Sequence, residues 1–333
     1  MEKIHVALAV CDPKGNYTQH AAVTLASVFA NTKSPVCTHI LHDETLTEEN
    51  RAKLKELAGN FGQEIEFIDV DPYLDTNKID VSRLSADGFK GTVFRLLLPE
   101  LFSEDKMIYL DCDIVVTMDI AELWDINLHT KAVGVVRDVH SLEYLEGKKE
   151  WPKRRGKIWS MLGIEPGEYF NAGVLLIDLR KLREEYDFLK EVETFYAKYG
   201  KCITFADQDC LNAIFAHDKL LLDERFNRMR ADNVTDKDLI GIIWHFSKIK
   251  PWAVYSRPKL DELYWKYLRK TPYCTNEDEL ITNMLKTLSS SKFIHRHSKD
   301  CLKKLKEQMK ENIFNSHLGA DIHAFFIKTF KNR

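Results

Sequence analysis

The run Met107-Ile108-Tyr109-Leu110-Asp111-Cys112-Asp113-Ile114-Val115-Val116 is apolar and of strand length, yet it carries two carboxylates one residue apart. Side chains alternate along a strand, so a continuous strand sends Asp111 and Asp113 to the same side. Two like charges there need compensation, because buried charge is costly unless it is paired or holds a metal. Paired acids at a strand end therefore point to a divalent cation and, through it, to phosphate. The simpler alternative is a solvated strand end with both acids in water. An Asp-x-Asp triplet alone does not decide between them.

The flanking pattern sets the fold class. Ile4 to Val10, Val36 to His42, Glu64 to Val70, Lys106 to Val116, Ala132 to Val136, Tyr169 to Asp178 and Ile240 to Phe246 read as strands. Helical spacing falls between them: Val23, Leu25, Val28 and Phe29; a helix capped by Thr47 that reaches about Ala58 and stops at Gly59; and Gly91 to Leu98. It recurs at Leu189, Val192, Phe195 and Tyr196, and again after Asp207-Gln208-Asp209. Strands alternating with helices predict an α/β fold, one mostly parallel twisted sheet flanked by helices. Ligands of such sheets lie beyond the carboxyl ends of the strands. The Asp12 turn and the Asp111/Asp113 pair both fall there. Residues 141–169 are a polar interruption that includes Lys148, Lys149, Lys153, Arg154, Arg155 and Lys157, with Trp151 and Trp159 interleaved. It reads as a substrate-covering loop or as a solvated face with two packing anchors.

Composition narrows the function. With 333 residues the chain has room for one large domain with an annex. A formal net charge of −3 argues against a nucleic-acid binder. Seven scattered cysteines without a C-x-x-C pair fit a reducing cytoplasm, and no signal or membrane-spanning segment is legible. There is no P-loop, no Gly-x-Gly-x-x-Gly after the first strand, no Gly-x-Ser-x-Gly elbow and no His-Glu-x-x-His helix. Two carboxylates and an imidazole suit Mn²⁺, and lysine and arginine suit phosphate oxygens. Residue chemistry alone thus reaches a metal-dependent enzyme that handles a phosphorylated or nucleotide ligand.

Five ordered motifs carry a more specific signal. They are Val93-Phe94-Arg95-Leu96, Tyr109-Leu110-Asp111-Cys112-Asp113, Phe170-Asn171-Ala172-Gly173-Val174, Asp207-Gln208-Asp209-x-Leu211-Asn212, and His245 with Lys250-Pro251-Trp252. With the opening Asp12, Asn16-Tyr17 and Ser27, the chain resembles the family 8 retaining glycosyltransferases over about residues 4 to 256. Two departures stand out. Pro13-Lys14-Gly15 is inserted before Asn16-Tyr17, and the stretch from His245 to Trp252 is one residue shorter than the family's usual closing motif and lacks its glycine.

The resemblance implies a GT-A fold of the nucleotide-diphospho-sugar transferase type. Residues 1–256 would form the catalytic domain and 257–333 a helical, basic C-terminal annex. It implies a UDP-sugar donor, UDP-glucose or UDP-galactose, with Mn²⁺, or Mg²⁺ in its place, held by Asp111, Asp113 and His245. Donor contacts would come from Asp12, Asn16, Tyr17, Arg95, Asp111, Cys112, Asp113, Asn171, Ala172 and Lys250. Asp138, Asp207 and Gln208 would serve the chemistry. Gln208 would lie beneath the anomeric carbon as a stabiliser or nucleophile; a carboxamide is a poor nucleophile, which favours positioning. Asp207 and Asp209 have helix capping as their simpler reading. The rival readings are an inert nucleotide-sugar binder on the same scaffold and a sugar-phosphate nucleotidyltransferase. Neither is favoured: Asp113, Gln208 and His245 are all present, and no Gly-rich basic loop follows the first strand. The acceptor is expected to be a saccharide of the cell envelope, free or lipid-linked. From Ser290 to Arg333 ten lysines and arginines face four acids around Phe325-Phe326-Ile327 and Phe330. That tail reads as a peripheral contact with the inner leaflet of a membrane, or as a helix with a basic outer face.

Overall fold

The structure is a computed structural model and describes residues 3–76, 90–200, 203, 205–231, 234–253 and 257–274. Among these, nine strands make two sheets. The larger has the order β3-β2-β1-β4-β7-β6-β8 and the smaller pairs β5 with β9. The strands are β1 (Ile4–Val10), β2 (Val36–His42), β3 (Glu64–Asp69), β4 (Lys106–Leu110), β5 (Ile114–Val116), β6 (Val133–Arg137), β7 (Phe170–Asp178), β8 (Lys219–Leu221) and β9 (Ile243–His245). β3, β2, β1 and β4 run parallel, and β7 lies antiparallel between β4 and β6. This mixed, mostly parallel sheet flanked by helices is the arrangement of a GT-A fold.

Strand periodicity splits the core in two. On β1 the side chains of Ile4, Val6, Leu8 and Val10 join one buried cluster with α1 (Thr18–Asn31), through Ala22, Leu25 and Val28. Ala7 and Ala9 face the opposite cluster, with Phe94 and Leu97. A sheet covered on both faces explains why β1 and β2 read as apolar runs rather than as alternating ones. In α2 (Glu48–Asn60) the Thr47 side chain accepts from Asn50 N–H, as its cap position predicts. That helix runs past Gly59 to Asn60.

Three sequence expectations change. The stretch Lys106 to Val116 is not one strand. β4 ends at Leu110, the chain turns through Asp111-Cys112-Asp113, and β5 starts in the other sheet. The stretch Gly91 to Leu98 is not one helix. Lys90–Val93, a 3₁₀ turn Phe94–Leu97 and Leu98–Leu101 follow each other. Pro99 has no N–H to give to the Arg95 carbonyl, and Leu98 N–H takes that carbonyl instead. Residues 141–169 are not one loop: about half lie in helices Val139–Leu145 and Lys153–Met161, and Trp159 is a packing anchor as one of the two readings had it. Trp159 is buried there and stacks on Tyr169 with ring centroids 4.1 Å apart.

Helix Pro258–Leu268 lies against α1 and joins the core on that face of the sheet. Tyr264 Oη is 2.7 Å from His20 Nδ1, and Asn31 donates to Tyr267 Oη at 2.8 Å. The basic segment from Ser290 to Arg333 lies outside the described residues. No helix among the described residues is long and apolar enough to cross a membrane. Cys11, Cys37, Cys112, Cys210 and Cys274 are free thiols.

Candidate active site

The turn between β4 and β5 sets Asp111 and Asp113 at the seam of the two sheets. Asp111 N–H bonds to the Gly173 carbonyl of β7 at 2.8 Å, and the Asp113 carbonyl accepts from Phe246 N–H at 2.9 Å. The β5–β9 ladder pairs Ile114 with His245. Three ligand atoms, one each from Asp111, Asp113 and His245, therefore lie within 4.8 Å of one another. His245 Nε2 is 3.2 Å from Asp113 Oδ1 and 3.8 Å from Asp111 Oδ2.

The tautomer of His245 follows from its other nitrogen. Nδ1 is 2.9 Å from Asn227 Oδ1, and an amide oxygen only accepts. Nδ1 therefore carries a proton, and Nε2 is the nitrogen left to face two carboxylate oxygens. Two carboxylate oxygens and a ring nitrogen facing one another are the donor set for a divalent cation. Gly173 leaves the room for it. A Cβ there would lie 2.3 Å from His245 Cε1 and 2.7 Å from Asp111 Oδ2. Burial raises the Asp113 pKa, but His245 and Lys250 more than offset that and hold it well below the usual carboxylate range. The Lys250 ammonium rests on Asp113 Oδ2.

A cavity of about 390 Å³ opens beside this triad, and Arg95, Asp138, Asn171, Ala172, Asp207 and Gln208 line it. Arg95 is buried between two acids. Its Nη2 is 3.1 Å from Asp111 Oδ1 and its Nε is 2.8 Å from Asp207 Oδ2. Nε–H points to the Thr92 carbonyl at 3.0 Å, and Asp207 Oδ2 has no directed hydrogen bond, so the Asp207 contact is an ion pair without one. Burial opposes the Arg95 charge, yet Asp111 and Asp207 raise its pKa above the ordinary value. Burial pushes the Asp207 carboxyl up, against the pull of Arg95.

Gln208 is fixed by its amide. Its oxygen accepts from Asn171 Nδ2 and Ala172 N–H, both at 3.0 Å, and its nitrogen donates to Tyr169 Oη at 3.1 Å. Tyr169 in turn donates to Asp209 Oδ1 at 2.6 Å. Asp209 also accepts from Trp159 Nε1 and from Phe205 N–H at the helix start. Of the three residues that open helix Ala206–Ile214, Asp209 is the one engaged in holding it, and Asp207 and Gln208 face the cavity.

Of the remaining expected site residues, Asp138 lines the cavity and Lys250 reaches Asp113, whereas Asp12, Asn16, Tyr17 and Cys112 do not line it. Asp12 is buried, and its carboxylate accepts from the N–H groups of Asn16, Tyr17 and Thr18 and from the Thr18 hydroxyl, at 2.7–2.9 Å. It shapes the entry to α1. Asn16 and Tyr17 are exposed at that turn. The Cys112 thiol points into the core, 3.2 Å from the Ala9 carbonyl. Asp138 caps helix Val139–Leu145, accepting from His140 N–H at 3.0 Å, while also lining the cavity. Lys250 is anchored by its neighbour Trp252, which stacks on His20 with centroids 3.6 Å apart. Burial drops the His20 pKa to about 3, so that stack is neutral at pH 7.

The family model for glycosyl transferase family 8 matches residues 9–255. This chain belongs to glycosyl transferase family 8. As a family 8 enzyme it is similar to General stress protein A of Bacillus subtilis (strain 168), 26% identical over 83% of this chain and 97% of that protein. The lipopolysaccharide 1,3-galactosyltransferase of Salmonella typhimurium is 24% identical over 85% of this chain and 84% of that protein. The galactosyltransferase LgtC, solved in complex with donor and acceptor sugar analogs, overlays with a TM-score of 0.63 at 26% identity. That match covers 83% of this chain and 98% of LgtC. The apo WbbM bifunctional glycosyltransferase gives a TM-score of 0.67 at 22% identity, over 85% of this chain and 52% of that one.

One residue of this family 8 site carries no sequence signal. Asn227 is completely buried, accepts from His245 and donates to Asn171 Oδ1 at 2.9 Å. It follows a single 3₁₀ turn, Glu224–Phe226, so no periodicity marks it. Through Asn227 and Asn171 the metal triad and Gln208 share one chain of hydrogen bonds.

Proposed function

We propose that this chain is a retaining hexosyltransferase that moves glucose or galactose from a UDP-sugar to a saccharide acceptor and depends on Mn²⁺, or on Mg²⁺ in its place. The convergence of Asp111, Asp113 and His245 beside the cavity floored by Asn171 and Gln208 carries this reading. A divalent cation held by the three ligands supplies charge stabilisation for a departing diphosphate.

The chain's own residues do the rest. Lys250 already sits on Asp113, so its ammonium is within reach of phosphate oxygens that approach that carboxylate. Arg95 holds Asp111 and Asp207 in fixed positions, and Asp138, Asn171 and Asp207 offer hydrogen-bond partners to sugar hydroxyls. The Gln208 oxygen already accepts two hydrogen bonds, which removes it as a nucleophile and leaves it as a fixed dipole under the reacting carbon. No other unengaged nucleophile is needed when the acceptor attacks the donor's leaving face and the α configuration is retained. Asp12, by shaping the entry turn, sets Asn16 and Tyr17 for the uridine side.

The similarity to a lipopolysaccharide galactosyltransferase supports a cell-envelope saccharide as acceptor. We assign residues 1–256 to catalysis and residues 257–333 to an annex that contacts acceptor or inner leaflet. Vesicle flotation with and without residues after Ser290 tests that assignment. The direct test of the reaction is donor hydrolysis with UDP-glucose, UDP-galactose and UDP-N-acetylglucosamine, with Mn²⁺ and after chelation. One hexose donor should be cleaved, only with metal, and Asp111→Asn/Asp113→Asn should abolish it. Metal-independent cleavage, or a β-linked product from an α donor, overturns the reading.

A further inference from the structure

At the opposite end of β1 and β2, toward the strand starts, a second group of metal-ligating side chains meets. His5 on β1 is in register with Cys37 on β2, and Ala7 is in register with His39. The two-residue period of a strand sends Cys37 and His39 to one face, and the parallel register adds His5 to it. Ala7, across from His39, has no side chain large enough to separate the imidazoles. His5 Nδ1 and His39 Nε2 are 3.0 Å apart, and one ligand atom from each of His5, Cys37 and His39 lies within 4.8 Å of the others. Cys37 and His39 are almost fully buried, while His5 is partly open.

The surroundings fit a cation rather than chance packing. His39 Nδ1 sits 3.1 Å from Glu66 Oε2 of β3, close to the carboxylate but without a directed hydrogen bond. Its other nitrogen, Nε2, is the one that faces His5. A carboxylate behind a ligating imidazole is the usual outer partner of a metal-bound histidine. Glu104, on the loop after Leu98–Leu101, brings Oε1 to 3.9 Å from His5 Nδ1, at 30% side-chain exposure. The Phe102 ring packs against His39 at 4.8 Å and Trp124 approaches His5 at 6.3 Å, giving an apolar wall. In a tetrahedral zinc site, bonds of about 2.0–2.3 Å leave ligand atoms roughly 3.3–3.8 Å apart. Among His5, Cys37 and His39 the spacings run from 3.0 Å to no more than 4.8 Å and bracket that range, so small side-chain rotations suffice.

We propose that His5, Cys37 and His39 form a second metal site that takes Zn²⁺ or a comparably soft divalent cation, with the fourth position left to an outside ligand such as water. Thiolate and imidazole donors select such ions over Mn²⁺ and Mg²⁺, which prefer oxygen. The two sites therefore differ in ion as well as in place. This one ties β1 to β2, remote from the strand ends where the donor cavity opens.

The test uses the full chain carrying Asp111→Asn/Asp113→Asn, stripped with chelator and titrated with Co²⁺ under reducing conditions. One equivalent should bind, with tetrahedral visible bands and a near-ultraviolet sulfur-to-cobalt transition. Cys37→Ser should remove that transition, and His5→Gln should weaken binding at least tenfold. Zn²⁺ should displace the cobalt, and excess Mn²⁺ should not. In the otherwise unchanged protein, Cys37→Ser should leave Mn²⁺-dependent donor hydrolysis intact. His5→Gln changes a partly exposed residue, and its thermal melt without metal checks folding. The proposal fails if no stoichiometric thiolate band forms. It also fails if the band persists in Cys37→Ser, or if a folded His5→Gln protein binds cobalt as the parent does. In those cases the cluster is a His–His–Glu contact only.

Discussion

Replacing Asn227 by alanine isolates the link between the metal triad and the sugar pocket. The side chain is completely buried, and its oxygen is the acceptor for His245 Nδ1–H at 2.9 Å. Its amide nitrogen donates to Asn171 Oδ1, which also accepts from Gly173 N–H. Truncation therefore strands one buried donor outright and leaves one acceptor with a remaining partner. The stranded N–H costs about 1–3 kcal/mol. Freed from Asn227, the imidazole no longer has to keep its lone pair on Nε2. Loss of such an outer partner typically weakens metal binding 10–100-fold, which corresponds to about 1.4–2.7 kcal/mol. Free Mn²⁺, counted by electron paramagnetic resonance during titration, reads this affinity without relying on turnover. Asn227→Asp is the control. A carboxylate still accepts from Nδ1–H, so Mn²⁺ affinity should stay within a few-fold of the parent, while repulsion from Asn171 Oδ1 should disturb Gln208 and lower turnover. Equal Mn²⁺ affinity in Asn227→Ala and the parent would falsify the orienting role.

Three other outcomes are expected. Gly173→Ala should fold with a loss of about 1–3 kcal/mol from overpacking, and it should lose Mn²⁺ binding because the new Cβ meets His245 and Asp111; calorimetry showing unchanged binding contradicts the cradle. Arg95→Lys should lower stability by about 3–5 kcal/mol in chemical denaturation, since a lysine cannot serve Asp111, Asp207 and the Ala172 carbonyl together. Asp12→Asn should cost about 1.5–3 kcal/mol at pH 7, the range for hydrogen bonds to a charged group. Burial opposes the Asp12 charge, but Thr18 and three backbone N–H groups hold its pKa below normal. That stabilisation is present above the unfolded value of about 3.9 and is lost as pH falls through the folded one. The gap between parent and variant should close in acid, and a pH-independent gap in denaturant titrations contradicts the charge's role.

The parts of this enzyme legible in its sequence are those governed by local rules. β1 and β2 are continuous apolar runs because both sheet faces are covered, and Thr47 is a cap because its side chain meets a free N–H. The motif residues Arg95, Asp111, Asp113, Asn171, Asp207, Gln208 and His245 do gather around one cavity. What escaped depends on the partner of a segment. The run from Met107 to Val116 has one apolar signature, and only β9 draws its second half into another sheet. Strand β7 reads the same whether it runs parallel or antiparallel. Asn227 matters through two contacts distant in sequence and leaves no pattern of its own. The shift of helix to 3₁₀ turn at Phe94–Leu97 was available from Pro99, whose effect reaches back four residues.

The pairing of Ile114 with His245 also fixes a timetable. Asp111 and Asp113 leave the ribosome early, with the parallel strands β1, β2 and β3 already made, whereas His245 and Lys250 emerge only near the end of the catalytic segment. Domains made this way assemble in the order in which their contacts become available. A nascent or prematurely ended chain thus holds two exposed acids and part of a sheet, but no imidazole to complete the ligand set and no lysine to balance Asp113. A chain that stops before β9 therefore lacks both side chains that meet the Asp113 carboxylate.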